Sequence, residues 1–126
     1  VLGDLTQIVR GIYSMPPDHG ASVVALVLAD AGLREQWQSE LAHMRTRIQS
    51  VRTELATAMQ ALGAERFEFI ARQCGMFSFL GIHDDQVGRM ASDYGIYMAP
   101  TSRINLAGLT PDNMPYFCQS LAAIVR

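Results

Sequence analysis

Apolar residues recur at helical spacing in the first part of the chain, with one clear interruption. From Leu2 to Tyr13 they lie three or four positions apart, which predicts a helix. Residues 14–20 contain two adjacent prolines, and these end the helix because proline has no N–H group to donate. Residues 21–30 are apolar on nearly every side, so we expect a short buried helix there.

The strongest pattern lies between Leu33 and Leu62, where gaps of three and four keep one stripe of a helix apolar for about eight turns. The stripe consists of Leu33, Trp37, Leu41, Met44, Ile48, Val51, Leu55, Met59 and Leu62. Charged residues, Arg52 and Glu54 among them, lie off the stripe and are expected on a solvated face. Gly63 then supplies the left-handed residue that commonly ends a helix. The pattern predicts one long amphipathic helix.

After Gly63 the pattern becomes typical of short β-strands. Four pieces bounded by glycine, proline or polar residues predict strands, at residues 67–70, 75–80, 96–99 and 103–108. A helix of about three turns is expected at residues 84–94, with Gly95 as its stop. Thr110-Pro111-Asp112 predicts the start of a terminal helix. The fold class is therefore α+β, a small β-sheet covered by helices, in a single domain of residues 1–126.

The composition adds a prediction about surfaces. Charged residues make up 17% of the chain, against about 25% in an average soluble domain, so we expect part of the apolar surface to meet another surface. A net charge of -2 without a basic block disfavours a nucleic-acid partner. No long apolar run and no charged leader is present, so neither a membrane span nor a signal peptide is expected, and the cytoplasm is the predicted location.

The chain has no self-sufficient catalytic site by pattern. His19, His43 and His83 are scattered without metal-ligand spacing, and no glycine-rich phosphate loop is present. Cys74 and Cys118 are lone cysteines, for which we expect simple packing. All ten basic residues are arginine, so the chain has no lysine. We predict no catalytic, metal-binding or cofactor-binding residue here.

Two arginines stand in unusual positions. Arg10 lies in an otherwise apolar helix end, and Arg103 opens a β-like run after a Pro-Thr-Ser loop. A guanidinium can bind a carboxylate through two parallel hydrogen bonds. Each arginine could therefore serve a carboxylate ligand or an ion pair with an internal Asp or Glu, and the pattern alone leaves both interpretations open.

Four separated stretches together resemble one family. These are RGIYSMPPDHGASVVALVL (residues 10–28), LREQWQSELAHMRTRI (33–48), FEFIARQCGMFSFLGI (67–82) and GIYMAPTSRINLAGLTPDN (95–113). Their wording, order and spacing are similar to the C-terminal part of the fold type I aspartate and aromatic amino-acid aminotransferases. The resemblance covers essentially the whole chain and implies that family's small domain, with residues 1–19 linking it to a large domain.

The resemblance also implies roles for four residues. Arg103 is similar to the arginine that grips the substrate α-carboxylate. Arg10 resembles the arginine that crosses the interface of a homodimer and binds the distal carboxylate of a dicarboxylic substrate. Phe77 is similar to a ring that lines the substrate pocket, and Ser14 lies in the same loop as Arg10 and borders the site. The substrates implied are amino acids and 2-oxo acids, with the choice between aspartate and aromatic types left open.

Enzymes of this family bind pyridoxal phosphate through a lysine, and the resemblance places that lysine upstream in the large domain. We therefore expect no pyridoxal phosphate and no transaminase activity in these 126 residues alone. The chain departs from the family's common pattern at Ile12 and Met15, where asparagine is usual, and at Ser102, where glycine is usual and a positive φ would cause strain. A stand-alone interaction module that reuses the fold, with both arginines in ion pairs, is the alternative.

Overall fold

The structure is a computed structural model and describes residues 1–125. It contains five α-helices, two short 3₁₀ helices and two β-strands within that range. In chain order these are α1 (Leu2–Tyr13), α2 (Asp18–Ala29), α3 (Ala31–Ala61), a 3₁₀ helix (Glu65–Arg72), β1 (Phe77–Phe79), α4 (Asp84–Tyr94), β2 (Arg103–Asn105), a second 3₁₀ helix (Leu106–Gly108) and α5 (Met114–Val125). The predicted α+β class is confirmed, with helices dominant and a two-stranded sheet.

The chain divides into two compact units, Val1–Ala42 and His43–Arg126. The division falls inside α3, whose first turns belong to the first unit and whose remaining turns belong to the second. The prediction of a single domain, with residues 1–19 as a link to another domain, stays a prediction.

The first unit consists of helices whose apolar side chains are exposed. Helix α1 has the predicted bounds, and α2 begins after Pro17 with Asp18 in its first turn, where a carboxylate favours the positive end of the helix dipole. The prediction that α2 is buried is wrong, because none of its residues is buried. The apolar pattern was sufficient for the helix, but burial also requires a surface packed against it, and within this unit only Val27 and Ala42 are even partly covered.

The second unit has a hydrophobic core. The later turns of α3 contribute Val51, Leu55 and Met59, which pack with buried residues of α4, α5 and the sheet region. The remaining core residues are Ala64, Phe67, Ile70, Leu80, Ile82, Met90, Ile104, Leu106, Leu109, Met114, Phe117, Cys118, Leu121, Ala122 and Ile124. The apolar stripe of α3 is thus buried only toward its C-terminal end.

Two of the four predicted strands form. β1 and β2 pair antiparallel, with Phe77 opposite Asn105, Ser78 opposite Ile104 and Phe79 opposite Arg103. The prediction of a strand at residues 67–70 is wrong, because this segment lies in the first 3₁₀ helix. In a 3₁₀ helix positions three apart share one face, which places both Phe67 and Ile70 in the core.

Residues 96–99 also do not form a strand. The N–H group of Ile96, the first in this segment, forms a hydrogen bond with the end of α4 instead. Gly95 adopts a left-handed conformation, and the N–H groups of Gly95 and Ile96 donate to the carbonyls of Ala91 and Met90. The same Gly95 stop was predicted from the sequence and is confirmed.

The terminal helix begins three residues later than predicted, at Met114. Thr110 and Asn113 form two reciprocal hydrogen bonds just before this helix begins. The N–H group of Thr110 donates to Asn113 Oδ1 at 2.8 Å, and the N–H group of Asn113 donates to Thr110 Oγ1 at 3.3 Å. This closed turn carries the chain from β2 into α5.

Candidate functional site

Arg103 and Phe77, which the sequence places 26 positions apart, meet on the two-stranded sheet. Phe77 lies opposite Asn105 and Arg103 lies opposite Phe79, so the Phe77 and Arg103 side chains are diagonal neighbours on the exposed face of the sheet. The guanidinium carbon of Arg103 lies 4.9 Å from the centre of the Phe77 ring. Both side chains are exposed, so a ligand can reach them. This cation–π contact does not use the N–H groups of the guanidinium, which remain able to donate to a ligand.

The guanidinium of Arg103 has no ion-pair partner within residues 1–125. Hydrogen bonds to its side chain are likewise absent from the part of the chain that the structure describes. The interpretation of Arg103 as one half of an internal ion pair therefore finds no partner among these residues. A cation held over an aromatic ring, with its donors unused, is suited to an external carboxylate.

Arg103 also borders a cavity of about 320 Å³ in the second unit. Its walls are largely apolar and include Tyr97, Met98, Leu109 and Phe117. Tyr116 closes one side, and its hydroxyl donates to the carbonyl of Tyr94 at 2.8 Å. A cationic group at the edge of an apolar cavity favours a ligand with one anionic and one apolar end.

Ser102, directly before Arg103, has the positive φ that the sequence analysis considered, at 58°. Its side chain is buried, and its hydroxyl accepts a hydrogen bond from the N–H group of Gly81 at 3.1 Å. The backbone is held as well, since Ser102 donates to Ala99 and accepts from Leu80. These three hydrogen bonds hold the backbone at the residue that presents Arg103.

Arg52 is a residue of this region that the sequence analysis missed. It was expected on a solvated face, but its side chain is only 4% exposed. Its guanidinium donates to Ser78 Oγ at 2.6 Å, to the carbonyl of Gly75 at 2.6 Å and to the carbonyl of Ile70 at 3.2 Å. Burial lowers the pKa of Arg52, and the nearby thiol of Cys74 acts in the opposite direction.

A signal for Arg52 was present in the spacing. It lies four positions after Ile48 and three before Leu55, at the margin of the apolar stripe. A residue so placed on a helix can turn toward the core. The backbone carbonyls that accept its hydrogen bonds could not be read from the sequence.

Arg10 and Ser14 lie together at the end of α1, in the first unit. The N–H group of Ser14 donates to the carbonyl of Arg10 at 2.9 Å, and both side chains are exposed. Ser14 has φ 58° and ψ -76°, an uncommon conformation for a residue other than glycine. The guanidinium of Arg10 has no ion-pair partner within residues 1–125. Their predicted roles in substrate binding stay predictions.

The two cysteines differ, although both were expected to pack. Cys118 is buried in α5, and desolvation raises the pKa of its thiol to about 11. Cys74 is exposed, so the packing prediction is wrong for this residue. It precedes Gly75, whose carbonyl binds Arg52, and this short connection before β1 lies at the surface.

The sequence lacks the residue type that links pyridoxal phosphate covalently to an enzyme. It has no lysine, the residue that the family uses for the covalent link. Within residues 1–125 no three potential metal-ligating residues cluster. None of the helices described in that range is long and apolar enough to cross a membrane. The site therefore presents the exposed guanidinium of Arg103 beside an apolar cavity, and a lysine that could form a Schiff base with pyridoxal phosphate is absent from the sequence.

Comparison with known proteins gives consistent matches. The family model for "Aminotransferase class I and II" matches residues 1–121. An aspartate aminotransferase of Salmonella typhi is 46% identical over 118 residues, which cover 93% of this chain and 30% of that protein. An aromatic-amino-acid aminotransferase of Escherichia coli (strain K12) is 40% identical over 126 residues, covering 99% of this chain and 32% of that protein.

Solved structures of aminotransferases also match this chain. The aromatic-amino-acid aminotransferase of Burkholderia pseudomallei, described as covalently bound to pyridoxal phosphate, superposes with a TM-score of 0.93 at 41% identity. That match covers 99% of this chain and 32% of that chain. A mitochondrial aspartate aminotransferase of Trypanosoma brucei matches with a TM-score of 0.92 at 34% identity, covering 98% and 33%. The chain spans about a third of the length of these relatives.

Proposed function

The chain belongs to the class I and II aminotransferases, and from that membership we propose that it is the carboxylate-binding C-terminal part of a pyridoxal-phosphate-dependent enzyme. The proposed reaction moves an amino group between an aspartate-type or aromatic amino acid and a 2-oxo acid. The observation that supports this most directly is the guanidinium of Arg103, stacked on Phe77 and without an ion-pair partner in the described chain.

Arg103 binds the α-carboxylate in this proposal. The guanidinium is planar and can donate two parallel hydrogen bonds to the two oxygens of a carboxylate, while Phe77 contacts it 4.9 Å away. Every amino-acid substrate and 2-oxo-acid product has that carboxylate. Arg103 therefore contributes to the binding of all substrates, while Phe77 lines the pocket beside it.

Arg10 takes a different role, that of binding the distal carboxylate of a dicarboxylic substrate in the neighbouring subunit of a homodimer. Its exposed position and the lack of an ion-pair partner in the described chain support this assignment. Ser14, in the same loop, borders that site. The exposed apolar side chains of residues 1–42 are consistent with coverage by the large domain and by the second subunit.

The large domain is proposed to hold the cofactor, through a lysine that this chain lacks. Pyridoxal phosphate supplies the electron sink that makes the substrate α-carbon acidic. The residues of this chain bind and orient the substrate. The cytoplasm is the proposed location, and amino acids and 2-oxo acids, rather than nucleic acid or membrane, are the proposed ligands.

Replacement of Arg103 in the complete aminotransferase tests the proposal. Arg103→Leu should reduce kcat/KM for every amino-acid substrate, which corresponds to a loss of about 2–5 kcal/mol of transition-state stabilisation, because a charged pair of hydrogen bonds is lost. Arg72→Leu is the matched control, since Arg72 is exposed and pairs only weakly with Glu68 at 3.9 Å. Steady-state kinetics with L-aspartate and L-phenylalanine measure both. Activity of Arg103→Leu near wild type would contradict the assignment.

Arg10→Leu separates the two arginines. It should lower kcat/KM for L-aspartate while leaving L-phenylalanine within about threefold, because only the dicarboxylate has a second anion to lose. An equal loss for both substrates would contradict the distal role of Arg10.

The 126-residue chain itself tests whether catalysis requires the large domain. Mixed with pyridoxal phosphate, an amino acid and a 2-oxo acid, it should show no turnover, because it has no lysine. Turnover that survives controls for contamination would contradict the proposal that the large domain carries out the covalent chemistry. An interaction module is favoured instead if the gene upstream encodes no lysine-bearing domain continuous with this chain.

A further inference from the structure

Arg52 is the one charged residue buried among residues 1–125, and it forms no ion pair with a carboxylate there. All of its hydrogen bonds go to neutral acceptors, most of them in the segment that leads into and forms β1. Besides Gly75 and Ser78 it has a longer contact with the carbonyl of Phe77, at 3.5 Å. A buried cation is costly unless its donors are satisfied, so these contacts hold the segment in place.

The sheet needs such an external support. Each strand has three residues, and an isolated two-stranded sheet is marginally stable in water. Within β1 the side chains alternate, with Ser78 buried on one face and Phe77 and Phe79 exposed on the other. Fixing Ser78 from the core side therefore fixes where the Phe77 ring lies on the opposite side.

We propose that Arg52 is a positioning residue for the carboxylate site. By holding Gly75 and Ser78 it sets the position of β1 against β2, and hence the position of the Phe77 ring under the guanidinium of Arg103. This inference rests on the proposed function, since it concerns how Arg103 meets an α-carboxylate. Loss of Arg52 weakens carboxylate binding because the Phe77 ring is no longer held against that guanidinium.

The first test uses three variants of the complete, pyridoxal-phosphate-loaded aminotransferase. Arg52→Met removes the donors at similar length. Ser78→Ala removes a single acceptor and disturbs folding least. Ser120→Ala is the matched control, because Ser120 is equally buried but its hydroxyl bonds only to Tyr116 within α5. The probes are L-aspartate, for KM and kcat, and 3-indolepropionic acid, for Kd.

The monocarboxylate 3-indolepropionic acid suits this purpose. An aromatic amino-acid aminotransferase that is 41% identical to this chain is described as a structure with that compound. Because it has one carboxylate, its Kd reports on a single arginine. Arg52→Met should raise KM and Kd roughly tenfold, and Ser78→Ala roughly threefold, with kcat within about twofold. Ser120→Ala should change none of these values.

The split between KM and kcat separates positioning from a general loss of folding. A variant that is only partly folded has fewer active molecules, so its apparent kcat falls while KM and Kd stay the same. All measurements are made well below the lowest melting temperature of the set. A fall in kcat with unchanged KM and Kd in Arg52→Met and Ser78→Ala would overturn the inference.

A double-mutant cycle tests whether Arg52 acts through Phe77. In a Phe77→Leu background the ring is gone, so Arg52→Met should change the Kd of 3-indolepropionic acid by less than about twofold. An undiminished, tenfold effect in that background would overturn the inference. If Arg52→Met does not fold, Ser78→Ala in both backgrounds decides the matter by the same criterion.

Arg103→Leu distinguishes this inference from the proposed function. If Arg103→Leu leaves the Kd of 3-indolepropionic acid unchanged, the proposed function fails and the inference fails with it. If Arg103→Leu weakens binding but Arg52→Met and Ser78→Ala do not, the proposed function stands and the positioning role of Arg52 is overturned.

Discussion

Helix α3 passes through both units, and its two parts have the same apolar spacing but opposite burial. Leu41, in the first unit, is 48% exposed, whereas Leu55, in the second, is fully buried. Apart from the partly covered Val27 and Ala42, the other apolar residues of the first unit are exposed as well. Leu55 instead belongs to the core that α4, α5 and the sheet region complete. The spacing of apolar residues thus determines the helix, whereas burial depends on what packs against it.

The largest expected difference follows from truncating this matched pair of leucines. Leu55→Ala should lower the free energy of unfolding of the 126-residue chain by about 2–5 kcal/mol, because it leaves a cavity. Leu41→Ala should change it by no more than about 0.5 kcal/mol. Urea unfolding followed by circular dichroism measures both. Similar losses for the two variants would show that the first unit has a core of its own.

Titration of Cys118 tests the burial of the second unit's core, because this thiol lies within it. Its pKa is about 11 in the folded chain, against an ordinary value of 9.0. The unfolded chain therefore loses the proton first as pH rises. The free energy of unfolding should be unaffected below pH 9 and fall by about 2–3 kcal/mol between pH 9 and 11.

Cys118→Val is the control for that titration, since valine has a similar volume and no thiol. Urea unfolding of both proteins at several pH values gives the difference, in which other titrating groups cancel. Parallel pH profiles for the wild type and Cys118→Val would contradict a buried, neutral thiol.

The smallest expected effect compares two serines with the same φ of 58°, one in each unit. Ser14 is exposed, and no hydrogen bond to its hydroxyl is present in the described chain. Ser14→Gly should therefore stabilise the chain by about 0.5–1 kcal/mol, because glycine tolerates a positive φ. Ser102→Gly should give little or no gain, because the bond from Gly81 to its hydroxyl, worth about 1 kcal/mol, is lost. Equal stabilisation in urea unfolding would contradict this difference.

Local signals predicted the helices well. The proline pair after α1, the glycines at positions 63 and 95 and the long stripe of α3 each act through nearby backbone geometry, and each is found where expected. The strands were predicted less well, because a strand needs a pairing partner, which the local pattern does not identify. The segment 67–70 has the composition of a strand, yet Phe67 and Ile70 reach the core from a 3₁₀ helix instead.

In the candidate site, too, local features could be predicted from the sequence, whereas contacts between distant segments could not. The position of Arg103 at the head of a strand could be predicted from its neighbours and is confirmed, while its role in substrate binding stays a prediction. The contact between Arg103 and Phe77 depends on the register of β1 and β2, which short strands do not specify by pattern. Arg52 was missed because its acceptors are mainly backbone carbonyls, which every residue type possesses.

The unequal exposure of the two thiols makes the chain suitable for selective chemical labelling. A maleimide dye should attach at Cys74 under native conditions, next to the carbonyl that Arg52 holds, and so report on motion of the connection before β1. Cys118 should react only when the core around α5 opens. Two cysteines in one polypeptide would then report separately on the exposed connection before β1 and on the integrity of the interior.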